Sequence, residues 1–157
     1  MRKVLANTTP LIALANINQL DLLHKLYGTV IVPQAVIDEI VREPAKHRVH
    51  ECSWIKVEKI KDVARKEMFR ARLHAGEVEV MILAREQKAD LVIMDDDAAK
   101  KTAKFLGLHV TGTLGVLLKA KKEGYLEKIE PAMNELICDG LYISETVKRY
   151  VLNQAGE

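Results

Sequence analysis

The sequence is poor in cysteine and in aromatic residues, carries almost no net charge and contains no long apolar run. Its two cysteines, Cys52 and Cys138, cannot build the framework that staples small secreted domains, so a reducing cytosol is the expected setting. No stretch approaches the ~18 apolar residues of a membrane span. The start, Met1-Arg2-Lys3-Val4-Leu5-Ala6-Asn7, has basic residues without the apolar core of an export signal. Membrane insertion and export are therefore not expected, and the expected location is cytoplasmic. The 24 Lys and Arg against 22 Asp and Glu leave a formal charge of +2, which argues against histone-like mass-action binding of nucleic acid. What is present is a globular composition, 48% apolar and 29% charged over 157 residues. At this length a fold buries roughly 70% of the surface its unfolded chain exposes, enough for a core without disulfides or metal staples. The expectation is one domain over residues 1–157, with C-terminal helices from about residue 131.

The small net charge hides an uneven distribution. Residues 42–72 hold ten basic and five acidic side chains, so the rest of the chain is net acidic. A run of this kind is most simply a solvated helix face.

Short β-type runs alternate with helical patterns. Residues 3–6, 29–32, 54–57, 91–94 and 108–110 read as strands. Helices are expected from Thr8-Thr9-Pro10, over 19–26 before Gly28, from Pro33 through about 42, over 62–73, 77–88 and 97–106, from Gly112-Thr113 through about 123, and from Pro131 and Ser144. Residues 43–53 read as a loop or short helix. Strands separated by helices of this length indicate βαβ units, an α/β fold whose mostly parallel sheet has helices on both faces. In such sheets ligands bind beyond the carboxyl ends of the strands, near the point where strand order reverses.

Oxygen-bearing side chains gather just past those ends: Asn7, Thr8 and Thr9; Asp95, Asp96 and Asp97; Thr111, Gly112 and Thr113. One of the three aspartates, or two, is accounted for by capping the next helix, whereas a third adds repulsion unless a cation offsets it. In the helix from Pro33, Val36, Ile37, Ile40 and Val41 form the apolar stripe and Asp38 and Glu39 stand on its two shoulders, so one of the pair can lean toward the sheet edge. The helix after Gly76 is apolar almost all round, with Glu77 and Glu79 in its first turn, where carboxylates favour the dipole. Together these groups can form hard oxygen ligands of the kind Mg²⁺ or Mn²⁺ prefers.

The motifs Asn7-Thr8-Thr9-Pro10-Leu11-Ile12, Val32-Pro33-Gln34-Ala35-Val36 with Glu39-Ile40, Ala75-Gly76-Glu77-Val78-Glu79 with Leu83-Ala84, Leu91-Val92-Ile93-Met94-Asp95-Asp96 and Thr111-Gly112-Thr113-Leu114-Gly115-Val116-Leu117 resemble, in order, those of PIN-domain proteins. The pattern is most similar to the VapC-like and DUF3368 branch, over about residues 3–125. The resemblance implies a three-layer α/β/α sandwich with a parallel sheet of strand order 3-2-1-4-5. It also implies a Mg²⁺- or Mn²⁺-dependent ribonuclease, commonly a toxin held by a small antitoxin. Carried over, the acidic ligands fall on Asn7, Glu39, Glu77 and Asp95, with Asp96 or Asp97 as a fifth. Glu39, Glu77 and Asp95 carry the catalytic charge. Thr8 or Thr9 supports the first position, and Thr111 and Thr113 line the same edge. Two positions depart from the pattern, since Asn7 replaces Asp and Glu77 stands where Asp is usual.

On this reading the basic excess becomes an RNA track with Arg65, Lys66, Arg70 and Arg72 as its candidates. His47, His50 and Cys52 have zinc-like spacing without a fourth ligand nearby. Val147, Tyr150 and Val151 on the last helix read as core, or else as a homodimer contact or antitoxin groove. The alternative to an RNA-cleaving toxin is a weakened PIN fold that binds RNA or protein without cutting, which Asn7 motivates.

Overall fold

A computed structural model describes residues 2–64 and 74–157. Its strands are β1 (Val4–Ala6), β2 (Val30–Pro33), β3 (Ile55–Glu58), β4 (Leu91–Ile93) and β5 (Val110–Thr111). The helices are α1 (Thr8–Asn16), α2 (Asp21–Tyr27), α3 (Gln34–Glu39), α4 (Ala45–His50), α5 (Ala75–Glu86), α6 (Asp97–Phe105), α7 (Thr113–Lys122), α8 (Glu130–Cys138) and α9 (Glu145–Gln154). All strand pairs are parallel and the order is β3-β2-β1-β4-β5.

Successive strand side chains point to opposite faces, yet Val4, Leu5 and Ala6 of β1 are all fully buried, so both faces of the sheet are covered. This is the expected α/β/α sandwich. Helix α1 packs against α3, α4, α7 and α8, while α5 packs against α3, β2 and β1. Every residue of α5 between Gly76 and Ala84 is buried, as its nearly uninterrupted apolar sequence requires. Strand order reverses between β1 and β4, where the N–H of Asn7 donates to the carbonyl of Ile93 at 2.8 Å. The carboxyl ends of β1 and β4 therefore open the crevice in which ligands of such sheets bind.

Several boundaries differ from the sequence expectation for local physical reasons. Helix α3 stops at Glu39 instead of running to about residue 42, because Ile40 leaves helical geometry (φ −89°, ψ 87°) and turns into the core, 4% exposed. Val41 is consequently 68% exposed and is no part of the apolar stripe. Helix α5 begins at Ala75 with His74 as its N-cap, which puts Glu77 at the third helical position and Glu79 in the second turn. Thr111 pairs with Ile93 inside β5, so that strand lies over 110–111 and not 108–110. On α9 only Val151 enters the core, whereas Val147 and Tyr150 are 44% and 63% exposed. The helix packs against α7, and Val151 is its one buried side chain. No helix among the described residues is long and apolar enough to cross a membrane.

One side chain ties the end of the chain to the head of α8 and to α7. Glu157 accepts from the N–H of Ile129 (2.8 Å), the N–H of Glu130 (3.2 Å) and the Lys121 ammonium (2.9 Å), while Lys121 also donates to the Ala155 carbonyl. Desolvation pushes the Glu157 carboxyl up, but the Ile129 N–H, the Lys121 ammonium and the Glu130 N–H outweigh it and hold the group below its ordinary value.

Candidate active site

Asn7 sits at the end of β1 and N-caps α1, with extended backbone (φ −87°, ψ 175°). An Asn at this position normally accepts from the second or third helical N–H, but the third residue is Pro10, which has none, and Asn7 makes no side-chain cap bond. Its Oδ1 is buried without a hydrogen-bond partner, the one such side-chain atom found among the described residues, in a residue only 4% exposed. An unsatisfied buried acceptor costs about 1–3 kcal/mol, so its persistence calls for a reason.

The next residue starts a chain of contacts. Thr8 Oγ1 donates to Glu39 Oε2 at 2.9 Å, and Glu39 Oε1 accepts the N–H of Gly76 at 2.6 Å. A Cβ on Gly76 would lie 2.6–2.9 Å from the Glu39 carboxylate, so only glycine lets that carboxylate reach the head of α5. Glu77 follows, 7% exposed, its Oε1 accepting the N–H of His74 at 3.1 Å. Burial pushes the Glu77 carboxyl up; the His74 N–H opposes this, and the negative charges of Asp96 and Glu39 push it further up. Glu39, Glu77 and Asp96 thus share one electrostatic neighbourhood.

On the β4–β5 side, Asp95 accepts from the N–H of Thr113 (2.8 Å) through Oδ1 and from its hydroxyl (2.6 Å) through Oδ2, which ties β4 to the head of α7. Asp96 is the N-cap of α6 and accepts the N–H of Ala99 at 2.9 Å. Asp97 is exposed at the first position of that helix. Thr111 Oγ1 lies where a side chain on Gly115 would have to go. Thr9 is exposed and lines a separate hollow with Ile12, Ala13 and Leu136, so of the two threonines Thr8 is the one that meets Glu39. Glu79 does not sit in the first turn; it is buried and accepts the N–H of Ala35 at 3.3 Å, at the head of α3. Arg65, Lys66, Arg70 and Arg72 lie outside the described residues.

The sequence reading missed Lys100. A Cβ on Gly112 would lie 2.7 Å from Asp95 Oδ1 and 2.9 Å from Lys100 Nζ, so the ammonium and the carboxylate are neighbours over that glycine. The available signal was helical spacing, since Lys100 stands one turn beyond Asp96 and Asp97 on the helix they open.

Among the described residues no three His, Cys, Asp or Glu side chains converge as a metal cage. Four carboxylates of the edge are drawn to donors of the protein itself: Glu39 and Asp95 by both oxygens, Glu77 and Asp96 by one. The donor set nonetheless suits a hard divalent ion, being all oxygen, with a buried acceptor in Asn7 that nothing else satisfies. The His47, His50 and Cys52 group does not form such a site either: His47 pairs with Glu51 at 2.9 Å and the Cys52 thiol donates to the Arg48 carbonyl.

A parallel sheet with acidic and hydroxyl groups at its switch point defines an α/β protein with a candidate active site at that edge. A family model described as DUF3368, PIN domain, matches residues 3–157, and the chain belongs to that family. PIN domains are generally nucleases and typically use divalent metals. No curated protein matches the chain.

Proposed function

We propose that the chain is a divalent-metal-dependent endoribonuclease that hydrolyses RNA phosphodiesters, acting in the cytoplasm as one PIN-like unit. The observation that carries this reading is the unpartnered, buried Oδ1 of Asn7 at the β1–β4 switch point, next to Thr8 and its bond to Glu39. Asn7, Glu39, Glu77 and Asp95, with Asp96 or Asp97, would hold the ion. A bound Mg²⁺ or Mn²⁺ supplies Lewis acidity and lowers the pKa of water. Of the protein's own groups, Glu77 has its carboxyl pushed up from its ordinary value by burial, which suits it to accept a proton from water attacking the phosphate. Glu39 and Asp95 keep the edge negative while Thr8 and Thr113 fix their orientation.

The finer reading is the toxin of a type II pair, a homodimer restrained by a small antitoxin. The exposed Val147 and Tyr150 of α9 support it as a surface for such a partner. A second reading, an RNA- or protein-binding module with weakened catalysis, is favoured by the uncharged Asn7 and by the engagement of both oxygens of Glu39 and Asp95.

Incubation of single-stranded RNA with the protein and Mg²⁺ or Mn²⁺ separates the two. Cleavage falling at least about 100-fold in Asp95→Asn and in Glu39→Gln is the expected result. Undiminished cleavage in both variants removes the site assignment, and none by the wild type with either ion favours the binding module.

A further inference from the structure

We propose that α6 is the surface along which single-stranded RNA leaves the site, with Lys100, Lys101 and Lys104 holding its phosphates and Phe105 stacking a base. The proposal rests on the ribonuclease reading and names the surface that serves it. Helix α6 buries Ala99 and Ala103 completely and turns Lys101, Lys104 and Phe105 outward, all three exposed. At about 100° per residue the last three fall within an arc of roughly 100°. Lys100 flanks that arc on the side of Gly112 and Asp95, so the basic stripe begins at the acidic edge itself. From Asp97 to Phe105 the helix rises about 12 Å, leading away from the edge.

Helical spacing gives Lys100 and Lys101 an acid one turn back, Asp96 and Asp97, but gives none to Lys104 and leaves Phe105 unexplained. The helix dipole favours Lys104, in the last turn, and has little hold on Lys101, the middle residue of the nine. Among the described residues none of the three lysines forms an ion pair. Lys100 and Lys104 are instead like charges one turn apart, which lowers helix stability. Phe105 is 89% exposed beside them. Cations that track a phosphate backbone, together with an aromatic ring on which a base stacks, are the two parts of a single-strand binding surface.

The two parts leave different signatures in binding. Anisotropy of a labelled single-stranded RNA of mixed sequence, titrated in EDTA so that nothing is cut, reads both across a salt series. For the Lys100→Ala, Lys101→Ala, Lys104→Ala triple variant we expect affinity to fall at least about tenfold and the salt slope to drop by about 2, at ~0.7 per lost phosphate contact. For Phe105→Ala we expect at least about a fivefold loss with the slope unchanged, kept in Phe105→Leu and reversed in Phe105→Tyr. Melting temperatures close to wild type show that the variants fold. A triple variant that binds with wild-type affinity and slope overturns the proposal, as does loss of binding only on replacing Arg65, Lys66, Arg70 and Arg72. A wild type that binds no RNA overturns it too. Cleavage that ignores Asp95 and Glu39 would remove the nuclease site while leaving a measured effect of α6 on binding in place, so the two failures are distinguishable.

Discussion

At the end of the chain Glu157 takes the N–H groups of Ile129 and Glu130 at the head of α8; at the sheet edge Glu39 takes the N–H of Gly76 at the head of α5. Both use a carboxylate from elsewhere in the chain to satisfy a helix start, where free N–H groups and the dipole favour negative charge. They differ in what faces the carboxylate. Lys121 closes the first arrangement, and the Glu157 carboxyl is held below its ordinary value. The second faces more acid, and the Glu77 carboxyl next to it is pushed up. The first arrangement is complete within the protein. The second carries excess negative charge and a buried unsatisfied oxygen, costs that a fold keeps where function uses them.

The sharpest break of this comparison, after loss of cleavage in Asp95→Asn, is Glu157→Gln. One of its two acceptor oxygens becomes an amide nitrogen facing donors, and the charge opposite Lys121 is lost, so, discounted for solvent screening, stability falls by about 1–2 kcal/mol in chemical denaturation at pH 7. Because the folded carboxyl titrates below the unfolded one, its contribution is present above the unfolded value of about 4.3 and is lost as pH falls through the folded value. The difference between wild type and variant should therefore vanish in strong acid. Next in size is Gly76→Ala, whose Cβ must displace the Glu39 carboxylate from 2.6 Å. A cost of about 0.5–1.5 kcal/mol is expected from the weakened hydrogen bonds of Glu39, with a fall in cleavage because Glu39 moves. Unchanged stability and cleavage would mean that Glu39 does not depend on the head of α5.

Much of this geometry was open to sequence reasoning, and what was not has a common cause. The strands of β1 and β4 declare themselves because buried parallel strands are short continuous apolar runs, and the oxygens just past them mark the edge. Strand order came through family resemblance, since local patterns do not encode which strands are neighbours. The end of α3 depends on Ile40 turning inward, and the role of Glu79 on the head of a helix 44 residues away. Lys100 belongs to the edge only because Gly112 leaves room for it. Each is a contact between segments distant in sequence, invisible to a window of a few residues. Asp96 shows the converse: of the three aspartates it is the one that caps α6, a role local sequence allows for any of them, and its charge still bears on Glu77.

The smallest effect on stability, and the one that tests the contrast most directly, is that of Glu77→Gln. The amide oxygen can still accept from the His74 N–H, so the cap survives while the charge goes. A folded carboxyl that titrates above its unfolded value contributes stability fully below the unfolded pKa, and that contribution is lost as pH rises through the folded one. Ionised Glu77 is thus a burden on the metal-free protein at neutral pH, and removing it should raise the melting temperature slightly at pH 7. At pH below 4 the advantage should disappear. Added Mn²⁺ reverses the order, because an ion that binds only the folded state stabilises in proportion to its occupancy, and the variant has lost one carboxylate. Wild type and Glu157→Gln should gain equally from Mn²⁺, and Glu77→Gln less. A variant destabilised at pH 7 as much as Glu157→Gln would make Glu77 an ordinary structural cap, and the two regions would then differ in nothing but position.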